Sequence, residues 1–168
     1  MEEIGVLRTI PLFAGALAAE QLATLASATR LITFTAGSVL MWQGEAGDSM
    51  FAIVEGDALV IARDRSGTDV EVARLGAGDI VGEMSLLTGA KRRATVQAVN
   101  RVTALEIGKA DLEPILGASP ELVDRFAALM EARQAALDKA YDAAGHWNIL
   151  GLDREHLAAL IGRFFRRG

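Results

Sequence analysis

Glycine is concentrated in the middle of this chain. Nine of the 17 glycines fall between residues 37 and 89, where they separate short apolar runs. Glycine readily adopts the positive φ that tight turns between strands require. Short strands with turns at such frequent intervals favour a small barrel or a jelly roll, because these architectures limit the number of exposed strand edges.

The apolar runs themselves have the length and composition of strands. They are RLITFT, SVLMWQ, SMFAIVEG, ALVIARD, VEVARLG, ATVQAVN and VTALEIG, all within residues 30–108. Helical periodicity occupies residues 1–28 and returns at residue 109. We therefore predict an α+β fold, in which an antiparallel β-roll of double-stranded jelly-roll type is flanked by N-terminal helices and C-terminal helices.

A long helix is predicted after residue 118. Ser119 is suited to its N-cap and Pro120 to its first turn, and the pattern ends near Gly145. We expect one domain over residues 1–142 and a tail over 143–168 that contains a short amphipathic helix. The apolar face of that tail helix comprises Leu157, Leu160, Ile161, Phe164 and Phe165. It could dock on this domain, on a partner or at a membrane surface.

Composition excludes several functional classes. The chain has no cysteine, and its two histidines, His146 and His156, are both in the tail. The chain therefore has few of the side chains that metal sites, catalytic triads and cofactor chemistry use, and we expect that it is not an enzyme. A net charge of -5 argues against an extended nucleic-acid interface. No apolar run reaches the ~18 residues of a membrane span, and the acidic start lacks signal-peptide character, so we predict a cytoplasmic protein.

One basic spot interrupts this acidic chain, in the stretch GEMSLLTGAKRRATV at residues 82–96. A helical turn after Gly82 would present backbone N–H groups to an anion, and the small Ser85 would allow close approach. If Arg92 begins a strand after the following turn, its guanidinium can return over the helix start and bind two phosphate oxygens. Glu83 would repel phosphate, but it could accept a hydrogen bond from a ribose hydroxyl.

The same pattern has a plainer interpretation. Glu83 and Arg92 could form an ordinary surface ion pair, with Gly82 and Gly89 serving only as turn residues. A glycine-rich turn with one basic residue is a weak signal by itself.

The stretch resembles the phosphate-binding cassette of the cyclic nucleotide-binding domain family, whose pattern is roughly Gly-Glu-x-small-Leu-Leu followed by Arg-x-Ala-Thr-Val. Similar residues extend over roughly residues 7–140, including IPLFAGAL and AGSVLMWQGEAGDSMFAIVEGDALV. The resemblance implies that Arg92 binds the cyclic phosphate and Glu83 the ribose hydroxyl. The site residues that it implies in the cassette are Gly82, Glu83, Met84, Ser85, Arg92, Arg93 and Ala94.

Two further positions bear on the ligand. Relatives commonly have serine, threonine or alanine in place of Arg93, and a threonine there is associated with guanine contacts; its absence favours cAMP over cGMP. Arg93 could also point away from the ligand, since adjacent strand residues face opposite sides. In some bacterial channel relatives an arginine on the last helix covers the base, at a position similar to Arg133, although a solvated helix charge is the alternative.

The output of such a site depends on what is attached to it. No helix-turn-helix pattern or second cassette is visible. The C-terminal region is similar to that of bacterial channels, including mechanosensitive-like ones, which carry this domain on the cytosolic face of the inner membrane. We therefore expect a channel regulatory domain whose C-terminal helix moves on binding. Alternatives are a stand-alone receptor with an unidentified partner, a ligand-free interaction module, self-association through the terminal helices, or a cupin-type enzyme with histidines in its strands.

Overall fold

The computed structural model describes residues 3–63 and 66–142, except for the side chains of 3, 4, 84, 88, 130 and 133–142. The helices are α1 (Glu3–Thr9), α2 (Ala19–Ala28), α3 (Glu83–Thr88), α4 (Lys109–Ala118) and α5 (Pro120–Asp142). The strands are β1 (Arg30–Phe34), β2 (Val39–Met41), β3 (Ser49–Glu55), β4 (Ala58–Arg63), β5 (Asp69–Leu75), β6 (Ile80–Val81), β7 (Thr95–Ala98) and β8 (Val102–Gly108). The predicted tail helix at 143–168 lies outside the described residues.

The strands form two four-stranded antiparallel sheets. The first has the order β1-β8-β3-β6 and the second the order β2-β7-β4-β5. Helices precede this body and follow it, so the predicted α+β roll with flanking helices is confirmed. All seven apolar runs contain a strand, whereas the two-residue β6 was not predicted because its run is too short to show a period.

Strand β3 separates two apolar cores. Met50 and Ala52 pack towards the helices, while Phe51 and Ile53 face the space between the two sheets. This alternation follows from the period of two along a strand. The first sheet is therefore buried on both faces at its centre, by helices on one side and by the second sheet on the other.

The start of α5 confirms the predicted cap. The Ser119 side-chain oxygen accepts a hydrogen bond from the Leu122 N–H at 3.3 Å, which satisfies one of the free donors at the helix start. Leu122 and Phe126 are fully buried. The Phe126 ring meets Phe13 edge to face, with centroids 6.3 Å apart, so α5 is packed against the segment that joins α1 and α2.

One arginine joins α5 to that same segment. Nη1 of Arg125 donates to the carbonyl oxygens of Pro11 at 3.2 Å, Leu12 at 3.3 Å and Ala14 at 2.7 Å. Its Nη2 donates to Glu121 one turn earlier at 3.1 Å. The guanidinium thereby satisfies carbonyl groups that the short helical turns leave without a partner in the helix.

The path of the chain before β7 differs from the prediction. Arg92 was expected to begin a strand, but β7 begins at Thr95, and Arg92 lies in the connection that precedes it. Its backbone N–H donates to the Glu45 carbonyl and its carbonyl accepts from the Gly44 N–H, both at 2.7 Å. Pairing with the turn after β2 thus holds this connection without strand geometry.

No helix in the described ranges is both long enough and apolar enough to span a bilayer.

Candidate functional site

Helix α3 begins at a glycine that the local packing requires. Gly82 has φ +88, and a Cβ at this position would lie 2.7 Å from both Nη1 of Arg92 and Cε of Met41. An L side chain would be strained in this backbone conformation and would also collide with its neighbours. The absence of a side chain therefore brings the start of α3 against Arg92.

Arg92 is held by main-chain carbonyl groups. Its Nη1 donates to Gly82 at 2.9 Å and its Nη2 donates to Ser49 at 2.8 Å. A Cβ on Gly47 would overlap the same guanidinium, so this side chain lies directly against the Gly47 backbone. Two glycines and two carbonyl oxygens thus fix the position of one cation.

The charges at this point are buried. Glu83 is 1% exposed and Arg92 is 7% exposed. Burial lowers the pKa of the Arg92 guanidinium, while the nearby carboxylates of Asp48, Glu83 and Glu45 act to raise it. An arginine titrates so far above neutrality that Arg92 remains charged at physiological pH. A buried acid and a buried base therefore face the same small region.

Both side chains line one cavity of about 80 Å³. Its polar or small lining comes from α3 and the connection before β7: Gly82, Glu83, Ser85, Arg92, Arg93 and Ala94. Its apolar lining comes mainly from the strands of both sheets: Met41, Val60, Val72, Ala73, Leu75, Val81 and Val96. A ligand with a charged end and a flat apolar end would meet matching surfaces here.

The structure brings together six of the eight residues that the sequence singled out, since all six polar or small lining residues were predicted. Met84 lies in α3 and Arg133 in α5, but their side chains are outside the described residues. The alternative of a surface ion pair between Glu83 and Arg92 is wrong, because both side chains are buried. Arg93 is also among the lining residues, and strand alternation does not apply to it because β7 begins at Thr95, so the direction of its side chain stays a prediction.

Among the side chains that the structure describes, no three of the metal-ligating types His, Cys, Asp and Glu are grouped as a metal ion would need.

The model of the cyclic nucleotide-binding domain matches residues 31–119, which include every strand from β2 to β8 and the whole cavity lining. The chain belongs to this family. A cyclic nucleotide-gated potassium channel of Rhizobium etli is 35% identical over 130 residues, covering 77% of this chain and 33% of the channel. The chain thus spans about a third of the length of that curated relative.

Solved structures of related proteins have the same fold as this chain. A cyclic nucleotide-binding domain from Methylobacillus flagellatus has a TM-score of 0.65 at 25% identity, covering 89% of this chain and 85% of the other. A regulatory subunit of a cAMP-independent protein kinase A from Trypanosoma cruzi, bound to guanosine, has a TM-score of 0.71 at 25% identity, covering 84% and 48%. The β-roll with flanking helices is therefore the fold of this cyclic nucleotide-binding domain.

Sequence reasoning missed the apolar half of the cavity of this domain. Val60 and Val96 were assigned to strands, but an apolar residue that faces a cavity has the same period of two as one that faces a core. Gly47 was interpreted as a turn residue, yet it does not have a positive φ. Its role is close approach to Arg92, and only the spatial arrangement reveals that.

Proposed function

We propose that this domain binds a cyclic purine nucleotide in the cavity, with cAMP preferred over cGMP, and that binding is regulatory rather than catalytic. The observation that carries this proposal is the burial of one carboxylate, Glu83, and one guanidinium, Arg92, on the polar side of a cavity whose other side is apolar. A cyclic nucleotide has a ribose hydroxyl, a charged phosphate and a flat base. These groups match the carboxylate, the guanidinium and the apolar side of the cavity, respectively.

Each side chain has a distinct role in this proposal. Arg92 uses two of its N–H groups on main-chain carbonyls and can direct others to the phosphate oxygens, as a charged bidentate donor. Glu83 accepts the hydrogen bond of the ribose hydroxyl. Ser85 and Ala94 are small enough for the sugar and phosphate to approach the backbone, and the backbone of Gly82, Met84 and Arg93 completes the cradle.

The base would lie against the apolar wall. Val60, Val72 and Leu75 are part of this wall, and none of them offers a hydrogen bond. The preference for cAMP rests on the absence of a threonine at position 93. Arg133 as a cover for the base is a further part of the proposal, supported by the contact between α5 and β5, the strand that carries Val72.

The size of the cavity implies movement on binding. Its volume is about 80 Å³, whereas pockets for small molecules usually measure about 300–1,000 Å³. In this proposal, an element at its border therefore moves outwards to admit a nucleotide. Helix α3 contacts both β3 and α5, so this movement would change the packing of α5 on the roll.

The effector in this proposal is a membrane pore. The support is the similarity to the Rhizobium etli channel, of which this chain matches only a third. The domain would then lie on the cytosolic side of the inner membrane, with α5 passing the signal to the pore. A stand-alone receptor, self-association through the terminal helices and a ligand-free interaction module are the alternatives.

Calorimetric titration of the purified chain with cAMP and cGMP tests the binding. We expect micromolar binding that is abolished in Arg92→Ala and retained in Lys91→Ala, since Lys91 is exposed and adjacent in sequence. Flat titrations with both nucleotides would contradict the proposal and favour the interaction module. Equal losses in the two variants would contradict the role of Arg92.

A further inference from the structure

Two consecutive arginines, rather than one, are among the residues that line the cavity. Arg93 follows Arg92 in a connection without strand geometry, which allows both side chains to reach the same side. Arg93 is half-buried, and its Nη1 atom is inaccessible to solvent. Its charge is therefore close to any ligand in the cavity and only partly screened by water.

Arg92 is not the only charged group near the polar side of the cavity. Three carboxylates, those of Asp48, Glu83 and Glu45, act on its charge. Two of its N–H groups are also engaged by carbonyl oxygens, which carry partial negative charge. An anion that approached Arg92 would meet a cation whose field these acids already weaken.

The balance among the lining side chains depends on Arg93. Glu83, Arg92 and Arg93 are the ionisable residues among those that line the cavity. The carboxylates of Asp48 and Glu45 also act on Arg92, so the loss of Arg93 would leave one guanidinium facing three carboxylates. Such a balance would disfavour the negative charge of a cyclic phosphodiester and would leave an uncharged nucleoside almost unaffected.

We propose that Arg93 makes this cavity select the anionic cyclic nucleotide over the corresponding neutral nucleoside. This inference rests on the proposed function, because it assigns a specificity residue to the same site. Nucleosides are relevant competitors, since the Trypanosoma cruzi regulatory subunit of the same fold has guanosine bound. Arg93 contributes through charge in a partly desolvated place, where an added cation favours an anion more strongly than it would in water.

The test compares cAMP with adenosine, which lacks the phosphate, in the wild-type chain and three variants. Arg93→Gln removes the charge, Arg93→Lys keeps it, and Lys91→Gln removes an equal charge from an exposed neighbour. We expect Arg93→Gln to weaken cAMP binding by about tenfold to a hundredfold, the range for losing one charged hydrogen bond, with adenosine changed by less than about threefold. Lys91→Gln should change both affinities by less than about threefold.

Salt gives a second measurement that a purely structural role would not affect. The cAMP affinity of the wild-type chain should fall as salt is raised, and this dependence should be smaller in Arg93→Gln than in Lys91→Gln. Arg93→Lys should keep most of the preference for cAMP, which also decides the matter if Arg93→Gln fails to fold. Repeating the comparison with cGMP and guanosine separates the effect of charge from that of the base.

The outcomes distinguish this inference from the proposed function. If the wild-type chain binds neither cAMP nor cGMP, the proposed function fails and this inference fails with it. If the wild-type chain binds cAMP but Arg93→Gln keeps the same ratio of cAMP to adenosine affinity, only this inference is overturned. A loss in Arg93→Lys as large as in Arg93→Gln would likewise overturn it, because the charge would then not be the cause.

Discussion

Two arginines in this domain bind main-chain carbonyl groups, one in the helical layer and one at the cavity. Arg125 donates hydrogen bonds to three carbonyl oxygens of the segment between α1 and α2, and its side chain remains 34% exposed. Arg92 donates hydrogen bonds to two carbonyl oxygens, is 7% exposed, and lines a cavity. The same hydrogen-bond chemistry thus joins two elements in one place and positions a charge at a cavity in the other.

The surroundings of the two arginines explain this difference. Beside Arg125, the chain is packed by apolar contacts such as the edge-to-face pair of Phe13 and Phe126. Around Arg92, the neighbours are a glycine backbone, a buried acid and a space of about 80 Å³. We expect the helical layer to contribute mainly to stability and the cavity, under the proposed function, mainly to nucleotide binding, and the following predictions test that separation.

The largest expected effect is on stability, in Phe126→Ala. Phe126 is fully buried and packs on Phe13, so its removal should lower the free energy of unfolding by about 3–5 kcal/mol in urea denaturation. The affinity of the folded protein for cAMP should not fall. Val99→Ala is the control, because Val99 is 39% exposed and should change stability by less than about 0.5 kcal/mol. Weaker cAMP binding by folded Phe126→Ala would refute the separation.

Gly47→Ala should have the opposite profile. The added Cβ would overlap the Arg92 guanidinium and displace it, while the backbone of Gly47 needs no positive φ. We expect cAMP affinity to fall by about tenfold or more, while the free energy of unfolding falls by about 1–3 kcal/mol, less than in Phe126→Ala. Gly117→Ala in α4 is the matched control, since its Cβ would meet no atom within 4 Å. It should leave binding unchanged and raise stability by up to about 1 kcal/mol.

These two regions also differ in how well the sequence predicted them. The return of helical periodicity at residue 109, where α4 begins, and the Ser119 cap were predicted from period and cap chemistry, because both signals are local. The prediction that Arg92 begins a strand was wrong, because pairing with the turn at Gly44 and Glu45 decides that geometry. Non-local contacts of this kind leave no period in the sequence.

The polar half of the cavity was predicted from its residue pattern, whereas the apolar half was not. Arg92 lies in the basic spot of an acidic chain, and together with Glu83 it matches the pattern of the phosphate-binding cassette, so both residues were conspicuous in the sequence. Val72 is half-buried in a strand and carries no sign that it borders a cavity. The role of Arg125 was also not predicted, because no neighbouring residue in the sequence indicates that it donates hydrogen bonds to the segment that ends at Ala14.

Arg125→Gln should have the smallest effect on stability, but it gives the most information about coupling between the packing of α5 and nucleotide binding. The variant loses donors to partly exposed carbonyls, so the free energy of unfolding should fall by only about 1 kcal/mol. Arg8→Gln is the control, because Arg8 is exposed on α1 and the change in net charge is the same. That control should alter stability by less than about 0.5 kcal/mol.

The sign of the effect of Arg125→Gln on binding follows from linkage. Arg125 stabilises the packing of α5 in a state whose cavity measures about 80 Å³, so a ligand that widens the cavity, as proposed, would bind against this packing. Weakening the packing by about 1 kcal/mol should therefore raise the cAMP affinity, by no more than about fivefold. Arg92 and Arg125 would then act on binding with opposite signs. A lower cAMP affinity in Arg125→Gln would mean that the packed position of α5 is the one that the nucleotide prefers.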